Sequence, residues 1–451
     1  MSTVRRGLIV FNGEEGYVLG IKSLLALMGA CALFAAGCGS DDKSSGGDGG
    51  SADTGQTKGA KAIDPASMDS AKGAVTYCAG KDTSGDLLKG IEDFNKANPE
   101  LKAKLLEFPE SADEQRNQFT QRQRAKSGDC DGFESDVVWT AEFASQKWLL
   151  DMTPYVEKRK AEFVPSTLSS VEYEDKIWGI PRVSDAGLLY YRSDKFSEVP
   201  ATWQEVYKEA AAGKGIVYQG ASYEGLTVNF LELAFAAGGK IISDDGKKPE
   251  IDSPENLKAL QFMVDGIKSG AAPKAVTTYM EEEARRTFES GRADFMRQWP
   301  YAYSLGNKTG SKTKGKFKVA PYPEFEGGGK AAILGGHNVV VSAYSKNPGG
   351  MLKLADYLTS PEIMKSNAVE FSKTPVITET YADPAVQKAL PFANELKAAV
   401  EQAKSRPVSP VYSQISQAIY KNVNGALAGQ MEPAAALKKA SGDMEKALAT
   451  F

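Results

Sequence analysis

His337 is the only histidine in the 451-residue chain, and this limits the chemistry that the protein can perform. A zinc site of the HExxH type, or one built from two cysteines and two histidines, needs at least two histidines. A Ser-His-Asp triad would have to use His337, which follows Gly335 and Gly336 with no nucleophile-elbow motif nearby. The sequence therefore predicts no metal site and no cofactor, and it argues against a triad hydrolase.

Two further patterns look like functional motifs but are interpreted as structural. Residues 327–330 read Gly-Gly-Gly-Lys without the Walker pattern of a phosphate loop, so we expect a flexible connection there. Residues 281–283 are three glutamates followed by Arg285 and Arg286, which is typical of a charged helix face. The net charge of -4, with Lys and Arg spread along the chain, gives no footprint for nucleic acid.

Cys38 follows three small residues (Ala-Ala-Gly), which in turn follow the uncharged residues 23–34 and the basic Lys22. A basic flank, an apolar core and small residues are typical of a secretory signal, and this core is too short for a membrane span of ~20 residues. A cysteine at this place also resembles the lipobox of bacterial lipoproteins, where it becomes the lipidated first residue. We predict a signal peptide over residues 1–37 and a lipid anchor at Cys38. An ordinary signal peptide with an incidental cysteine is the alternative.

Residues 38–72 are rich in glycine, serine and aspartate and contain no aromatic side chain. Such a segment cannot bury enough apolar surface to offset the entropy of ordering the chain, so we predict a flexible linker. With a lipid at its start, this linker would hold the folded part on the outer face of the cell membrane.

Cys78 and Cys130 are the cysteines left for the folded part, because Cys31 lies in the predicted signal and Cys38 is the predicted anchor. An even pair in an exported protein favours one disulfide, and two separately buried thiols are the alternative.

Strands alternate with helices after the linker, which favours an α/β domain with a largely parallel sheet and ligands at the carboxyl ends of its strands. The first predicted elements are strands at residues 74–77, 101–108 and 137–139, with helices near residues 87–94 and 113–126. Later predicted helices cover residues 203–212, 257–268, 348–359, 384–404, 412–428 and 433–449.

A series of short segments along the chain resembles, in number and order, the solute-binding proteins of bacterial ABC importers, in the branch for maltose, trehalose and related sugars. These segments are FNKANP (94–99), SDVVW (135–139), WLLDMTPYV (148–156), IWGIP (177–181), YYRSDKF (190–196), PATW (200–203), FESGRADFMRQWP (288–300), LGGHNVVVS (334–342) and RPVSPVY (406–412).

The resemblance implies the type II periplasmic-binding-protein fold, with two α/β lobes, three hinge crossovers and a ligand cleft between the lobes. Lobe 1 is predicted to contain residues 73–183 and 332–376, and lobe 2 residues 184–331 and 377–451. The predicted crossovers lie near residues 181–185, 323–332 and 375–380, where Pro, Gly and polar residues are frequent.

The resemblance also implies a set of ligand-binding residues whose types suit a sugar. Carboxylates and amides accept hydrogen bonds from vicinal hydroxyls, Arg donates to ring oxygens, and aromatic rings lie against C–H faces. His337 stands where sugar-binding relatives often carry Trp. Each of these residues has a structural alternative, such as a turn, a helix cap or a core position. The predicted residues are Asp82, Arg116, Asp136, Asp185, Tyr223, Glu224, Trp299, His337, Asn338 and Arg406.

The resemblance predicts a lipid-anchored, monomeric binding protein that captures a sugar by hinge closure and delivers it to the transmembrane subunits of an ABC permease. An α-linked di- or oligosaccharide such as trehalose or maltose is the expected ligand, and no enzymatic activity is expected. One alternative is a secreted glycoside hydrolase with Asp136 and Asp185 as its carboxylate pair. Another is the same fold with a different small solute.

Overall fold

The computed structural model describes residues 55–450. The predicted signal peptide, Cys38 and the first part of the linker lie outside the described residues. The strands are β1 (Gly73–Ala79), β2 (Leu101–Glu107), β3 (Gly132–Asp136), β4 (Glu172–Tyr173), β5 (Lys176–Ile177), β6 (Ile180–Ala186), β7 (Leu188–Arg192), β8 (Ile216–Val217), β9 (Phe295–Gln298), β10 (Phe317–Ala320) and β11 (Leu334–Val341).

Helices cover both faces of the sheets, and several of them begin with proline in the first turn, where its missing N–H costs nothing. They are α1 (Asp86–Ala97), α2 (Ala112–Arg124), α3 (Thr140–Ser145), α4 (Thr153–Val156), α5 (Pro165–Leu168), α6 (Trp203–Ala212), α7 (Glu224–Ala236), α8 (Pro254–Lys268), α9 (Glu281–Glu289), α10 (Ala302–Gly306), α11 (Pro348–Leu358), α12 (Pro361–Phe371), α13 (Pro384–Ala389), α14 (Ala393–Gln402), α15 (Tyr412–Leu427) and α16 (Pro433–Leu448).

Two sheets form the centres of two lobes. The first has the strand order β2-β1-β3-β11-β6, and the second has the order β10-β7-β9-β8. In the first sheet β1 runs parallel to β2 and β3, whereas β11 is antiparallel to both β3 and β6. Four of its five strands therefore run in the same direction, as expected for a largely parallel sheet, and β11 is the exception. The reason is that β11 enters lobe 1 from lobe 2 rather than through a helical crossover within the sheet.

The chain passes between the lobes at three places. Strand β6 belongs to the first sheet and β7 to the second, with only Gly187 between them. The chain returns between β10 and β11 over residues 321–333. It leaves lobe 1 for the last time after Ile377, which packs in the lobe 1 core, and Tyr381 already packs in the lobe 2 core. This is the predicted two-lobe α/β fold with three crossovers.

The disulfide between Cys78 and Cys130 is present, which confirms the prediction. It joins β1 to the segment before β3, with 5.8 Å between the Cα atoms. Both cysteines are buried among aromatic side chains on one face of the first sheet.

Residues 55–72 fold onto lobe 1, so the predicted linker does not extend to residue 72. Ile63 is buried in the lobe 1 core, and its N–H donates to the carbonyl of Asp151 at 2.8 Å. A short 3-10 helix, Pro65–Met68, packs against α11. Composition alone predicted a linker here because few apolar residues, chiefly Ile63 with Met68 and Ala71, pack this largely polar segment onto the core.

Two predicted elements differ from the observed ones. The third strand was expected at residues 137–139, but β3 covers Gly132–Asp136, and the Asp136 carboxylate accepts from the Val138 N–H as the chain turns into α3. The helix expected at residues 384–404 is divided into α13 and α14 because Pro391 cannot continue a helix. Among residues 55–450, no helix combines the length and apolarity that crossing a membrane requires.

Candidate functional site

A cleft of about 180 Å³ lies between the lobes, at the carboxyl ends of β1, β3 and β6 and opposite β9, α7 and α9. Its lining combines charged groups with aromatic rings. Lobe 1 contributes Asp82, Ser84, Asp86, Glu110, Glu134, Asp136, Arg182, Asp185, His337 and Lys373, and lobe 2 contributes Tyr223, Glu224, Glu281, Glu282, Trp299, Tyr301 and Arg406.

Arg406 joins the two lobes at the back of the cleft. Its Nη1 donates to Glu224 Oε1 at 2.7 Å, and its Nη2 donates to Asp136 Oδ1 at 3.1 Å. All three residues are buried. The arrangement places a cation between a carboxylate of lobe 1, at the end of β3, and a carboxylate of lobe 2, at the start of α7.

The Glu224 carboxyl has a raised pKa. Burial raises the pKa of Glu224 to about 7, although Arg406 favours its charged form. Its carboxylate also accepts from the hydroxyls of Tyr412 and Ser416. A contact from the other lobe completes the site, because the Asp113 carboxylate accepts from the Glu224 N–H at 2.9 Å.

Asp185 and His337 lie on neighbouring strands of the lobe 1 sheet at the edge of the cleft. Burial raises the pKa of the Asp185 carboxyl, which accepts a hydrogen bond from the Thr374 hydroxyl. His337 is half-buried and lies opposite Asp136 in the β11–β3 pairing. The imidazole therefore shares its part of the cleft with carboxyl groups.

Trp299 supplies the large apolar surface of the cleft. It follows β9, and the guanidinium carbon of Arg297 lies 4.0 Å from the centre of its ring. Beside it, the Tyr223 hydroxyl donates to Glu281 Oε2 at 2.7 Å, and the Tyr301 hydroxyl donates to Glu282 Oε1 at 3.0 Å.

Asp82 lines the cleft, but its carboxylate is occupied by the chain itself. It accepts from the N–H groups of Gly85 and Leu88 at 2.7 and 2.9 Å, at the start of α1. Asp82 thus helps to cap α1 and positions the loop that follows β1.

Two predicted site residues, Asn338 and Arg116, are not among the residues that line the cleft. Asn338 is fully buried and accepts from the Ser170 hydroxyl at 3.2 Å. Successive side chains of a strand point to opposite faces, so Asn338 points away from the face that carries His337. Arg116 pairs with Glu142 through Nε and Oε2 at 2.8 Å, beside a separate concavity.

Sequence reasoning missed a buried ionic network under lobe 1's side of the cleft. Arg182 donates to Asp86 Oδ2 at 2.7 Å and to Glu134 Oε1 at 2.9 Å, and Lys373 lies 3.1 Å from Asp86 Oδ1. Burial alone would raise the pKa of Asp86, but Lys373 and Arg182 hold that pKa well below its usual range. Two signals were available, because Glu134 lies two residues before Asp136 on the same strand face and Arg182 lies next to the first crossover.

The lining of the cleft consists of paired charged groups and aromatic rings. In the part of the chain that the structure describes, no group of three or more His, Cys, Asp or Glu side chains is arranged to hold an ion. Most of the charged groups are already paired, and the aromatic rings of Trp299, Tyr223 and Tyr301 lie among them. Such a surface offers fixed hydrogen-bond partners and flat apolar faces to a polar organic molecule.

Comparison with known families agrees with this description. The family described as bacterial extracellular solute-binding protein matches residues 80–365. A probable ABC transporter-binding protein of Deinococcus radiodurans is 37% identical over 396 residues, which cover 83% of this chain and 94% of that protein.

Solved structures show the same architecture. The maltose-bound MalE3 protein of T. maritima superposes with a TM-score of 0.80 at 36% identity, covering 83% of this chain and 99% of that one. A solute-binding protein of Thermotoga lettingae bound with α-D-tagatose superposes with a TM-score of 0.75 at 26% identity, covering 83% of this chain and 99% of that one.

Proposed function

Because this chain belongs to the bacterial extracellular solute-binding proteins of ABC transporters, we propose that it captures a sugar in the cleft between its lobes. The observation that carries the proposal is that Trp299 lines the same cleft as the Arg406 bridge, the ion pairs that Arg406 makes with Asp136 and Glu224. An indole lies in the same cleft as buried carboxylates from both lobes. A sugar needs both kinds of contact, since it has C–H faces for the ring and hydroxyls for the charged groups.

The mechanism is binding followed by closure about the three crossovers, without covalent chemistry. Arg406 and Asp113 make hydrogen bonds between the lobes in this structure. A sugar between the lobes would add hydrogen bonds to both sides and so shift the equilibrium toward the closed form, which the permease subunits would receive.

An α-linked di- or oligosaccharide such as maltose or trehalose is the ligand that we propose. The support is the similarity to the maltose-bound T. maritima protein and, at 25% identity, to a maltotriose-binding protein of Pyrococcus abyssi. Since the similar T. lettingae protein carries a monosaccharide, α-D-tagatose, single sugars are included in the test.

We also propose that the protein is a monomer held at the outer face of the cell membrane through a diacylated Cys38. The support is the sequence around Cys38 and the extracytoplasmic place of the family. Both lobes of this chain contribute residues to the cleft.

A thermal-shift screen tests the function. Purified protein is heated with maltose, maltotriose, trehalose or tagatose, and a bound sugar raises the unfolding temperature by mass action. We expect at least one α-glucoside to do so, with no product after prolonged incubation. Release of reducing sugar would instead support the hydrolase alternative, with Asp136 and Asp185 as its carboxylates.

A further inference from the structure

We propose that Arg297 is a positioning residue that fixes the Trp299 indole in the cleft, as part of a buried cluster of Arg297, Glu232, Gln219 and Tyr322, here called the Arg297 cluster. The role of the indole as a ligand surface rests on the proposed function. The positioning of the ring itself does not, and it can be measured without any ligand.

The guanidinium of Arg297 packs against one face of the Trp299 indole. The two residues are two positions apart at the end of β9, so their side chains lie on the same face. The guanidinium carbon is 4.0 Å from the ring centre, well inside the ~6 Å range of a cation–π contact. One face of the ring is thereby covered, so a ligand would have to use the opposite face.

Arg297 cannot easily move away from the ring, because its other atoms are held. Only 2% of Arg297 is exposed. Its Nε donates to Glu232 Oε2 at 2.9 Å, its Nη2 donates to Glu232 Oε1 at 2.5 Å, and its Nη1 donates to Gln219 Oε1 at 3.1 Å. The Tyr322 hydroxyl donates to Glu232 Oε2 at 3.0 Å. Because the guanidinium of Arg297 binds both carboxylate oxygens of Glu232, its plane is fixed. The orientation of the Trp299 ring that packs against it is therefore fixed as well.

The Arg297 cluster also contacts two of the three crossovers. Gly187, the residue between β6 and β7, packs so closely that a Cβ there would overlap Tyr322, Glu232 and Arg297. Tyr322 itself begins the second crossover, just after β10. The outer edge of the indole meets the returning strand, since a Cβ on Gly335 would lie 2.6 Å from Trp299 Cη2. The orientation of the ring is therefore tied to the segments about which the lobes rotate.

Fluorine NMR of protein labelled with 5-fluorotryptophan tests the positioning directly. The chain has five tryptophans, and the Trp299 signal is assigned by its loss in Trp299→Phe. We expect Arg297→Gln to shift or broaden the Trp299 signal, because the ring loses its contact with the guanidinium. We expect Arg297→Lys to restore part of the original shift, because a cation remains over the ring.

The other tryptophans serve as internal controls. Trp139, Trp148 and Trp178 lie in lobe 1 and report on the overall fold, while Trp203 packs on Tyr322 and reports on the far side of the cluster. Arg192→Gln is the matched control variant, since Arg192 is a buried lobe 2 arginine whose partner is Asp194 rather than a tryptophan. We expect it to leave the Trp299 signal in place.

A second variant guards against misfolding, because Arg297→Gln leaves Glu232 buried without its cation. Arg297→Met combined with Glu232→Leu removes both charges and is expected to fold, since a buried ion pair can be replaced by apolar residues of similar size. It should move the Trp299 signal as Arg297→Gln does. An unmoved Trp299 signal in either folded variant would overturn the proposal.

Calorimetric titration with maltose gives the functional consequence. We expect Arg297→Gln to weaken binding about threefold to tenfold, within the range of a cation–π contact, and Arg297→Lys to weaken it less. If the parent protein does not bind maltose, the proposed ligand is wrong and the NMR result alone decides the positioning role. Maltose affinity that is the same in the parent and in Arg297→Gln would contradict the proposal.

Discussion

At the scale of single residues, the cleft depends on charges that are buried and mutually neutralised. Arg406 has a carboxylate on either side, and Asp86 has two cations within 3.1 Å. Removing one member of such a group leaves an uncompensated buried charge, which costs more than the intact pair contributes. Measurements of ligand affinity in folded variants are therefore needed to separate the binding role of a residue from its role in folding.

Trp299→Ala and Asp136→Ala are expected to weaken sugar binding about tenfold or more, because each removes a contact that the cleft makes from a fixed position. The measurement is a fluorescence titration for Asp136→Ala and calorimetry for Trp299→Ala. Arg116→Ala is the matched control, since Arg116 pairs with Glu142 outside the cleft. If both cleft variants bind a confirmed ligand as the parent does, the site has been assigned to the wrong residues.

Glu224 makes folding stability depend on pH. Its pKa rises from 4.5 to about 7 on folding, because burial outweighs Arg406, and Asp136 and Asp113 add to the rise. The folded state then holds the proton more tightly, so the stabilisation is complete below about pH 4.5 and is lost as the pH rises through about 7.

Glu224→Gln should flatten that dependence, with a change on the order of 1–3 kcal/mol across the window. Urea unfolding of the parent and the variant at pH 5 and pH 8 measures it. Other buried carboxyls such as Asp185 contribute with the same sign, so the difference between parent and variant carries the test. Equal slopes in the two proteins would show that Glu224 ionises normally.

His337 is expected to contact the ligand and to influence which sugar is accepted. It is half-buried, lines the cleft and faces Asp136 across the strand pair. His337→Trp should favour ligands that offer a flat apolar sugar face, because an indole presents a larger apolar surface than an imidazole. Calorimetry with a panel of sugars compares the ligand ranking of the parent and the variant, and an unaltered ranking would show that His337 does not influence which sugar is accepted.

Among the elements, strand pairing and the alternation of side chains along β11 decide which predicted site residues lie together. His337 and Asp136 are brought together because β11 and β3 pair with these residues opposite each other. The neighbouring Asn338 faces the opposite side of the sheet, so these two adjacent residues do not line the same surface. Strand β3 was predicted too far along the chain because its sequence, GFESD, contains few residues that favour strands. All five of its residues are buried in the structure.

The disulfide is the covalent link within lobe 1, and its removal should be costly. Replacing Cys78 and Cys130 with serine opens a loop with a sequence separation of 52 residues. Loss of the cross-link is expected to lower the free energy of unfolding by on the order of 4 kcal/mol. Urea unfolding of the double variant measures the change, and reduction of the parent protein should reproduce it. An unchanged midpoint in both cases would show that packing alone holds these segments.

At the scale of the whole molecule, the order of motifs along the chain was enough to predict the two-lobe fold and its three crossovers. Glu134 and Arg182 could have been singled out by their positions, but their ion pairing with Asp86 could not be predicted, because the network joins α1, β6 and β3, which are distant in sequence. Nothing local in any one of these segments marks the other two as partners. For the same reason, Arg406, Asp136 and Glu224 were predicted as separate site residues and not as ion pairs that join the lobes.

We predict that Cys38 determines whether the folded part stays at the membrane. Cys38→Ser should prevent acylation, so that uncleaved precursor accumulates or protein is released into the medium. Fractionation of expressing cells measures the distribution, with the parent chain as reference. A processed Cys38→Ser protein that remains in the membrane fraction would contradict the predicted anchor.

We propose that an α-linked di- or oligosaccharide binds between the lobes, and calorimetric titration of the purified protein with maltose, maltotriose and trehalose measures this binding. We expect saturable heat with one sugar per chain for at least one of the three. We also expect a negative heat-capacity change, because the ligand's apolar faces and Trp299 leave water together. The absence of saturable heat with all three sugars, at protein concentrations that would detect millimolar affinity, would contradict it.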